Sequence, residues 1–298
     1  MSDSSSDSGS RPDMSDSSSD SGSRVHAEAV RGLPRRLDEL TTVVLAPNPS
    51  FMTLTGTNTY LLGAAGSGGM VVVDPGPDLV EHRTAVDAAL AEVDAEVAAV
   101  VLTHHHADHS EAAGWAAEWG APLHAFTPRL IRAEAAALLD GQELAFAGLR
   151  LRAVHTPGHS SDHLCIRVED SGAILTGDHV LGSGTTVVAW PDGDMASYLA
   201  SLERLAELDA PVLYPGHGPM VTDPSGTVSH YLAHRAEREE EVLAALRSGA
   251  RTPSEVVAGV YADVDPVLHP AAERQVRAHL DKLVAEGAVS SDGGTYRV

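Results

Sequence analysis

Thr103-His104-His105-His106-Ala107-Asp108-His109 decides how the chain is read, because it sets His104, His106 and Asp108 in alternation with His109 directly behind. Neutral imidazole and carboxylate are the preferred ligands of zinc and similar ions, so the cluster points to a metal centre rather than a polar turn. The run before it, Val97-Ala98-Ala99-Val100-Val101-Leu102, is continuously apolar. It predicts a strand buried on both faces, with the histidines at its C-terminal end. After the cluster, Ala112, Ala113, Trp115, Ala116 and Trp119 recur at helical spacing, which puts Asp108 and His109 at or near a helix start.

The same placement recurs along the chain. Gly56 to Leu62 and Gly69 to Asp74 read as successive strands, and Asp74 ends the second just before Pro75-Gly76-Pro77. A carboxylate there can orient a metal-binding histidine from behind. A helix is expected from about Leu79 to Val93. Pro122 to Phe126 reads as a short strand, and Pro128 to Leu139 as an alanine-rich helix ended by Asp140-Gly141. The alternating strand Leu149 to His155 runs into Thr156-Pro157-Gly158-His159, where Pro and Gly suit a loop that aims one side chain inward. His163 to Val168 and Ala173 to Thr176 follow as strands, the second ending in Gly177-Asp178-His179. An amphipathic helix from Asp194 to Leu208 precedes Val212-Leu213-Tyr214, which delivers Pro215-Gly216-His217-Gly218-Pro219. Five strand ends therefore carry His or Asp, and convergence of that kind turns one sheet edge into one site.

Composition bounds what such a site serves. The 298 residues are enough for a full core plus an appendage. A formal charge of −22 argues against broad attraction to nucleic acid or anionic membrane. Cys165 is the only cysteine and lies in an apolar strand-like run, which reads as core and leaves no disulfide and no thiolate cluster for metal. The chain shows neither a membrane span nor a secretory leader, so a cytoplasmic location with no membrane partner is expected.

Residues 1–24 hold a direct Ser/Asp/Gly repeat with too few apolar residues to pack, expected to be a disordered tail. Residues 25–228 are expected to form the site-bearing domain. From 229 to 298 the pattern changes to a long polar helix over Tyr231 to Arg247, then Thr252-Pro253-Ser254-Glu255 opening a second helix as a capping box. A third helix spans Ala271 to Glu286, and a hairpin turns at Asp292-Gly293-Gly294. Three helices and a wing resemble a winged-helix module. With eight Lys/Arg against eleven Asp/Glu from Ser229 on, packing or association into a homo-oligomer is expected of it rather than a grip on nucleic acid.

Taken together, H-x-H-x-D-H, TPGH, TGDH and PGHG resemble the metallo-β-lactamase-fold hydrolases over roughly residues 40–225. The resemblance implies an αββα sandwich with a dinuclear metal site on one edge. It implies one zinc ion held by His104, His106 and His159, a second held by Asp108, His109 and His217, and Asp178 bridging the two. Gly182 to Val187, the Gly56-Thr57-Asn58-Thr59-Tyr60 opening and the C-terminal module narrow the match to a branch resembling β-lactamase-like protein 2, which includes a single-strand-specific endoribonuclease. Acyl-carrier thioesterases are related to it. Where zinc β-lactamases of the main subclass carry a cysteine, this chain has Asp178, which argues against antibiotic hydrolysis. His106 stands where diiron oxygen reductases of this fold have an acidic residue, so the set favours zinc hydrolysis over redox chemistry, with manganese or iron left open.

The function so implied is hydrolysis by a hydroxide bridging two zinc ions, with Asp178 and Asp108 as the catalytic carboxylates. Asp74 and His163 are read as hydrogen-bonding supports of the ligands. Cleavage of single-stranded RNA comes first among the expectations. A small-molecule or carrier-bound thioester, in the manner of glyoxalase II, is the alternative. A non-enzymatic regulatory or scaffold protein is a third reading, which the intact seven-ligand set argues against.

Overall fold

A computed structural model of the protein describes residues 31–64, 66–262 and 264–298, so the N-terminal repeat lies outside the described residues. Seven strands pair in chain order: β1 (Arg35–Arg36), β2 (Thr41–Leu45), β3 (Asn58–Leu62), β4 (Gly69–Val73), β5 (Glu96–Val101), β6 (Leu123–Ala125) and β7 (Ala136–Ala137). A second sheet contains β8 (Glu143–Phe146), β9 (Leu149–His155), β10 (Leu164–Val168), β11 (Ile174–Gly177) and β12 (Leu213–Pro215), in the spatial order β12-β11-β10-β9-β8. Helix α1 (Val80–Glu92) crosses between the parallel strands β4 and β5. Short helices α2 (Ala107–Ser110) and α3 (Trp115–Glu118) follow β5. Helix α4 (Met195–Glu207) makes the corresponding crossover between β11 and β12, which are also parallel. A parallel pair needs such a crossover, and it leaves both strands ending at the same edge.

Alternation of side chains builds the layers. Val43, Tyr60, Leu62, Val71 and Val73 face Leu151, Ala153, Leu164, Ile166 and Leu175 across the sheet interface. Their neighbours Val44, Leu61, Val72 and Val100 point the other way, onto Ala85, Val86 and Ala89 of α1. On the far side Val154, Cys165, Ile174 and Leu213 meet Tyr198, Leu202 and Leu205 of α4. The result is an αββα sandwich, as the motifs imply. Cys165 is fully buried, and burial pushes its thiol up to about 12.

Beyond the sandwich run α5 (Pro224–Arg247), α6 (Pro253–Val260), α7 (His269–Ala285) and a hairpin of β13 (Ser290–Asp292) with β14 (Thr295–Arg297). Val242, Leu246, Val256, Val257, Val276, Leu280, Leu283 and Val289 form a separate core there. The capping box at Thr252 and Glu255 is present, with each side chain bonded to the other residue's backbone N–H. Helix α5 serves both bodies, since its Val228 and Tyr231 pack in the sandwich while Val242 and Leu246 pack in the module. No described helix is long and apolar enough to cross a membrane.

The helix expected over Pro128 to Leu139 is replaced by a 3-10 turn at Pro128–Leu130 and the edge strand β7. Alanine's helix propensity loses here to sheet pairing, because β7 aligns parallel to β6 and the Leu138 N–H bonds to the Ala125 carbonyl at 2.9 Å. The apolar spacing after the histidine cluster likewise produces α2, a 3-10 turn at Glu111–Gly114 and α3 instead of one continuous helix.

Candidate metal centre

Every strand end singled out by sequence arrives at one edge, and specific bonds close it. The Leu164 N–H donates to the Thr103 carbonyl at 2.7 Å, tying β10 of one sheet to the end of β5 in the other. The Asn58 N–H donates to the Gly216 carbonyl at 2.8 Å, and its side-chain amide donates to the carbonyls of Pro215 and Gly218. Gly216 is required by closeness: a Cβ there would lie 2.6 Å from a ring carbon of His109 and 2.8 Å from Asp178 Oδ1. Gly177 has φ +45°, and its absent side chain leaves room for Thr103 and His163.

The converging side chains form two groups. His104, His106 and His159 bring their ring nitrogens together, with His104 Nε2 and His159 Nε2 each 3.0 Å from His106 Nδ1. Asp108, His109, Asp178 and His217 form the other, with His217 Nε2 3.1 Å from Asp108 Oδ2 and 3.3 Å from His109 Nε2. Asp178 faces both. Its Oδ1 lies 3.3 Å from His109 and His217, and its Oδ2 lies 3.7 Å from His159.

The outward ring nitrogens show what the inward ones offer. His159 Nδ1 lies 2.8 Å from the Val187 carbonyl and His217 Nδ1 lies 3.1 Å from the Gly56 carbonyl, so both must donate outward. His109 Nδ1 donates to Asp74 Oδ2 at 2.8 Å. Thr103 gives its hydroxyl proton to the same oxygen at 2.7 Å, and so accepts from His104 Nδ1 at 3.0 Å. Each of these four imidazoles, in its neutral form, therefore turns an Nε2 lone pair toward the centre of its group. Facing lone pairs repel unless an electrophile sits between them, and Asp178 Oδ1 is buried there without a well-formed hydrogen bond. This donor set fits divalent cations, and the pattern of a ligand histidine backed by a carboxylate or carbonyl is the usual one around them.

Asp74 thus stands behind two histidines at once. It is almost fully buried, adopts the left-handed φ of +50°, and receives the Thr103 N–H at 2.7 Å on its other oxygen. Aspartate tolerates that conformation better than most residues, and strain of this kind marks functional positions. His163 supports Asp178 from behind: its Nε2 accepts the Asp178 N–H at 3.1 Å while its Nδ1 donates to the Thr156 hydroxyl at 2.9 Å.

Electrostatics separates the two groups. Burial and neighbouring imidazoles hold His106 down to about 4, and His104 and His159 are lowered too, chiefly by burial. In the other group burial works to lower His217, yet Asp178 and Asp108 outweigh it and raise the ring to about 9. His109 is raised for the same reason. Burial alone would raise Asp178, but His217 and His109 hold its carboxyl well below the usual range. A pocket that favours positive charge on its own rings stabilises a bound cation in the same way.

Other residues here carry no motif. His105 Nδ1 donates to Asp162 at 2.8 Å, and the Ser160 hydroxyl donates to the same oxygen, tying the cluster loop to the His159 loop. The spacing of Asp162 three residues after His159 is the only signal it leaves in the sequence. A cavity of about 360 Å³ opens over His106, Asp108, His159 and Asp178, and Arg274 of α7 lines it. It shares Met52 and Val187 with a second cavity of about 430 Å³, walled by Phe51 and by Val260, Tyr261, Val264 and Leu268 of the module.

Comparison with known proteins agrees with this geometry. Residues 52–217 match the family model described as the metallo-beta-lactamase superfamily, and residues 252–297 match the beta-lactamase associated winged helix domain. The chain is 32% identical over 275 residues to a beta-lactamase-like protein 2 homolog of Caenorhabditis elegans, covering 86% of this chain and 88% of the relative. It is 34% identical over 283 residues to an atrochrysone carboxyl ACP thioesterase of Aspergillus chevalieri, covering 88% of this chain and 87% of the relative. Among solved structures, a metallo-beta-lactamase family protein of Thermus thermophilus superposes with a TM-score of 0.76 at 27% identity, covering 88% of this chain and 99% of the other. Both the sandwich and the winged-helix module inferred from the motifs are thereby borne out.

Proposed function

The chain belongs to the metallo-beta-lactamase superfamily of hydrolases, and from that premise we propose that it hydrolyses thioesters with a bulky apolar acyl group at a dinuclear zinc site. His104, His106 and His159 are assigned to one cation, Asp108, His109 and His217 to the other, and Asp178 to both. Five imidazoles and two carboxylates make a nitrogen-rich set suited to zinc. Cations so held would supply a water of lowered pKa and polarise the scissile carbonyl. The chain's own residues do the rest: Asp74, Val187 and Gly56 fix ring orientation, and Asp178 and Asp108 stay ionised, so that either could accept the proton of an attacking water.

One observation carries the choice of substrate. The cavity over the ligands shares Met52 and Val187 with the larger one, whose lining from Phe51, Val260, Val264, Leu268, Ala271 and Ala272 is aliphatic and aromatic, with Thr185, His234, Arg238 and Gln275 as its polar members. Such a lining suits an acyl group lying beside the reacting carbonyl. The likeness to the thioesterase of Aspergillus chevalieri points the same way. A second reading, single-stranded RNA, draws on exposed Phe51 and on Arg238 stacked 5.5 Å over Tyr261 in the same cleft, since bases stack on such groups. A net charge of −22 opposes the approach of a polyanion and ranks it below the thioester.

Zinc-loaded full-length protein assayed against an aromatic acyl thioester and a single-stranded oligoribonucleotide tests the assignment. Thioester turnover is expected to have the higher kcat/KM and to disappear on chelation. Chelator-sensitive RNA cleavage with no thioester turnover would reverse the ranking.

A further inference from the structure

Arg235 of α5 is 1% exposed, and among the described residues it has no carboxylate partner. Its guanidinium lies 5.3 Å from the ring centroid of Tyr198, donates from Nη2 to the Thr186 carbonyl, and leaves Nε and Nη1 unpaired within the described protein. A buried charge so sparsely satisfied costs stability, and an apolar side chain would fill the space better. Its bond to Thr186 leads to the ligands. The Thr186 hydroxyl donates to the Asp178 carbonyl at 2.6 Å, and the next carbonyl, of Val187, accepts from the His159 ring at 2.8 Å. Two consecutive residues therefore hold the ring of one ligand from the three-histidine group and the backbone of Asp178, whose carboxylate faces both groups. One turn before Arg235, the Tyr231 hydroxyl accepts the Leu181 N–H at 2.9 Å and fixes the start of the same loop.

We propose that Arg235 is a positioning residue that clamps the Thr186–Val187 segment and so sets the spacing between His159 and Asp178, making cation affinity depend on a helix shared with the C-terminal module. The proposal rests on the assignment of the two groups to cations. It explains why a guanidinium stands where packing alone favours a hydrocarbon: a long, charged donor on α5 reaches the Thr186 carbonyl and holds it strongly.

The test compares Arg235→Met, Arg235→Lys, Thr186→Val and Arg235→Met/Thr186→Val with the wild-type chain. Stoichiometry and Kd for zinc are read by competition with a chromophoric chelator, beside the Tm of the metal-free proteins. Arg235→Met and Thr186→Val should each weaken at least one cation by about 10- to 100-fold, the range typical of losing a partner behind a ligand. The double variant should be little worse than the weaker single one, because both changes break one chain of bonds. Arg235→Lys should recover part of the loss. A purely structural arginine would lower Tm and leave Kd unchanged in the folded fraction, and that result overturns the proposal. Should Arg235→Met fail to fold, Arg235→Gln decides, since it keeps a buried polar side chain but is too short to reach the Thr186 carbonyl; wild-type affinity in that variant overturns the clamp. Wild-type protein that takes up no zinc instead removes the assignment underneath.

Discussion

The histidine-bearing edge of the sandwich and the core of the C-terminal module are both buried, but by opposite means. At the edge, His104, His109, His217 and Asp74 are at most 2% exposed, and their polar atoms are held by named partners. In the module, Val242, Leu246, Val256, Val276, Leu280 and Leu283 exclude water by filling space, with no directional bond among them. Directional burial gives a single arrangement and fails sharply when one partner is removed. Space-filling burial degrades by degrees and tolerates a swap of equal volume.

That contrast can be broken or sharpened by substitution. Asp178→Ala removes the carboxylate that addresses both groups. Turnover should fall by much more than the ~100-fold that losing an outer partner costs, with far-UV circular dichroism unchanged, since the residue sits at a strand end. Activity near wild type in folded protein would falsify its assignment. Leu280→Ala should cost about 2–5 kcal/mol in denaturant unfolding, whereas Leu280→Met should cost less than about 1.5 kcal/mol. Zinc bound per folded chain should not change in either. If Leu280→Ala strips zinc from folded protein, the two regions are less separate than their cores imply.

Asp74→Ala leaves the Thr103 N–H, the Thr103 hydroxyl and His109 Nδ1 without their acceptor. Zinc affinity should fall by about 10- to 100-fold, read by chelator competition, and Asp74→Asn should fall between this variant and wild type. The smallest effect is expected at Thr252→Ala, which breaks the capping box of α6 for about 0.5–2 kcal/mol and leaves zinc affinity untouched.

The same contrast explains how much was legible in the sequence. His104, His106, Asp108, His159, Asp178 and His217 follow strand ends, the last three beside glycine, so residue type and local spacing bring them to one edge. The module was legible through apolar periodicity and the Thr252–Glu255 capping pattern. Three features were not. Pro128 to Leu139 reads as a helix because alanine favours one, while the pairing of Ala136 and Ala137 with His124 and Ala125 that decides the matter is long-range. The partnership of His105 with Asp162 joins positions 57 residues apart. Arg235 looks like any other charge on a polar helix, and only the layer packed over it shows that it is inside.

Helix α5 also makes the two bodies share a phase. Tyr231 and Val242 are eleven residues apart, close to three whole turns, so one face of the rod serves the sandwich at one end and the module at the other. Inserting a single residue between Arg235 and Val242 would turn the module about 100° around the rod and carry Tyr261 and Leu268 away from the mouth of the site. Inserting eleven would restore the heading but move the module about 16 Å along the axis, out of reach of Phe51 and Met52. The width of the cleft is thus encoded as a count of helical turns, and insertions or deletions in α5 can retune it without altering any residue that lines it.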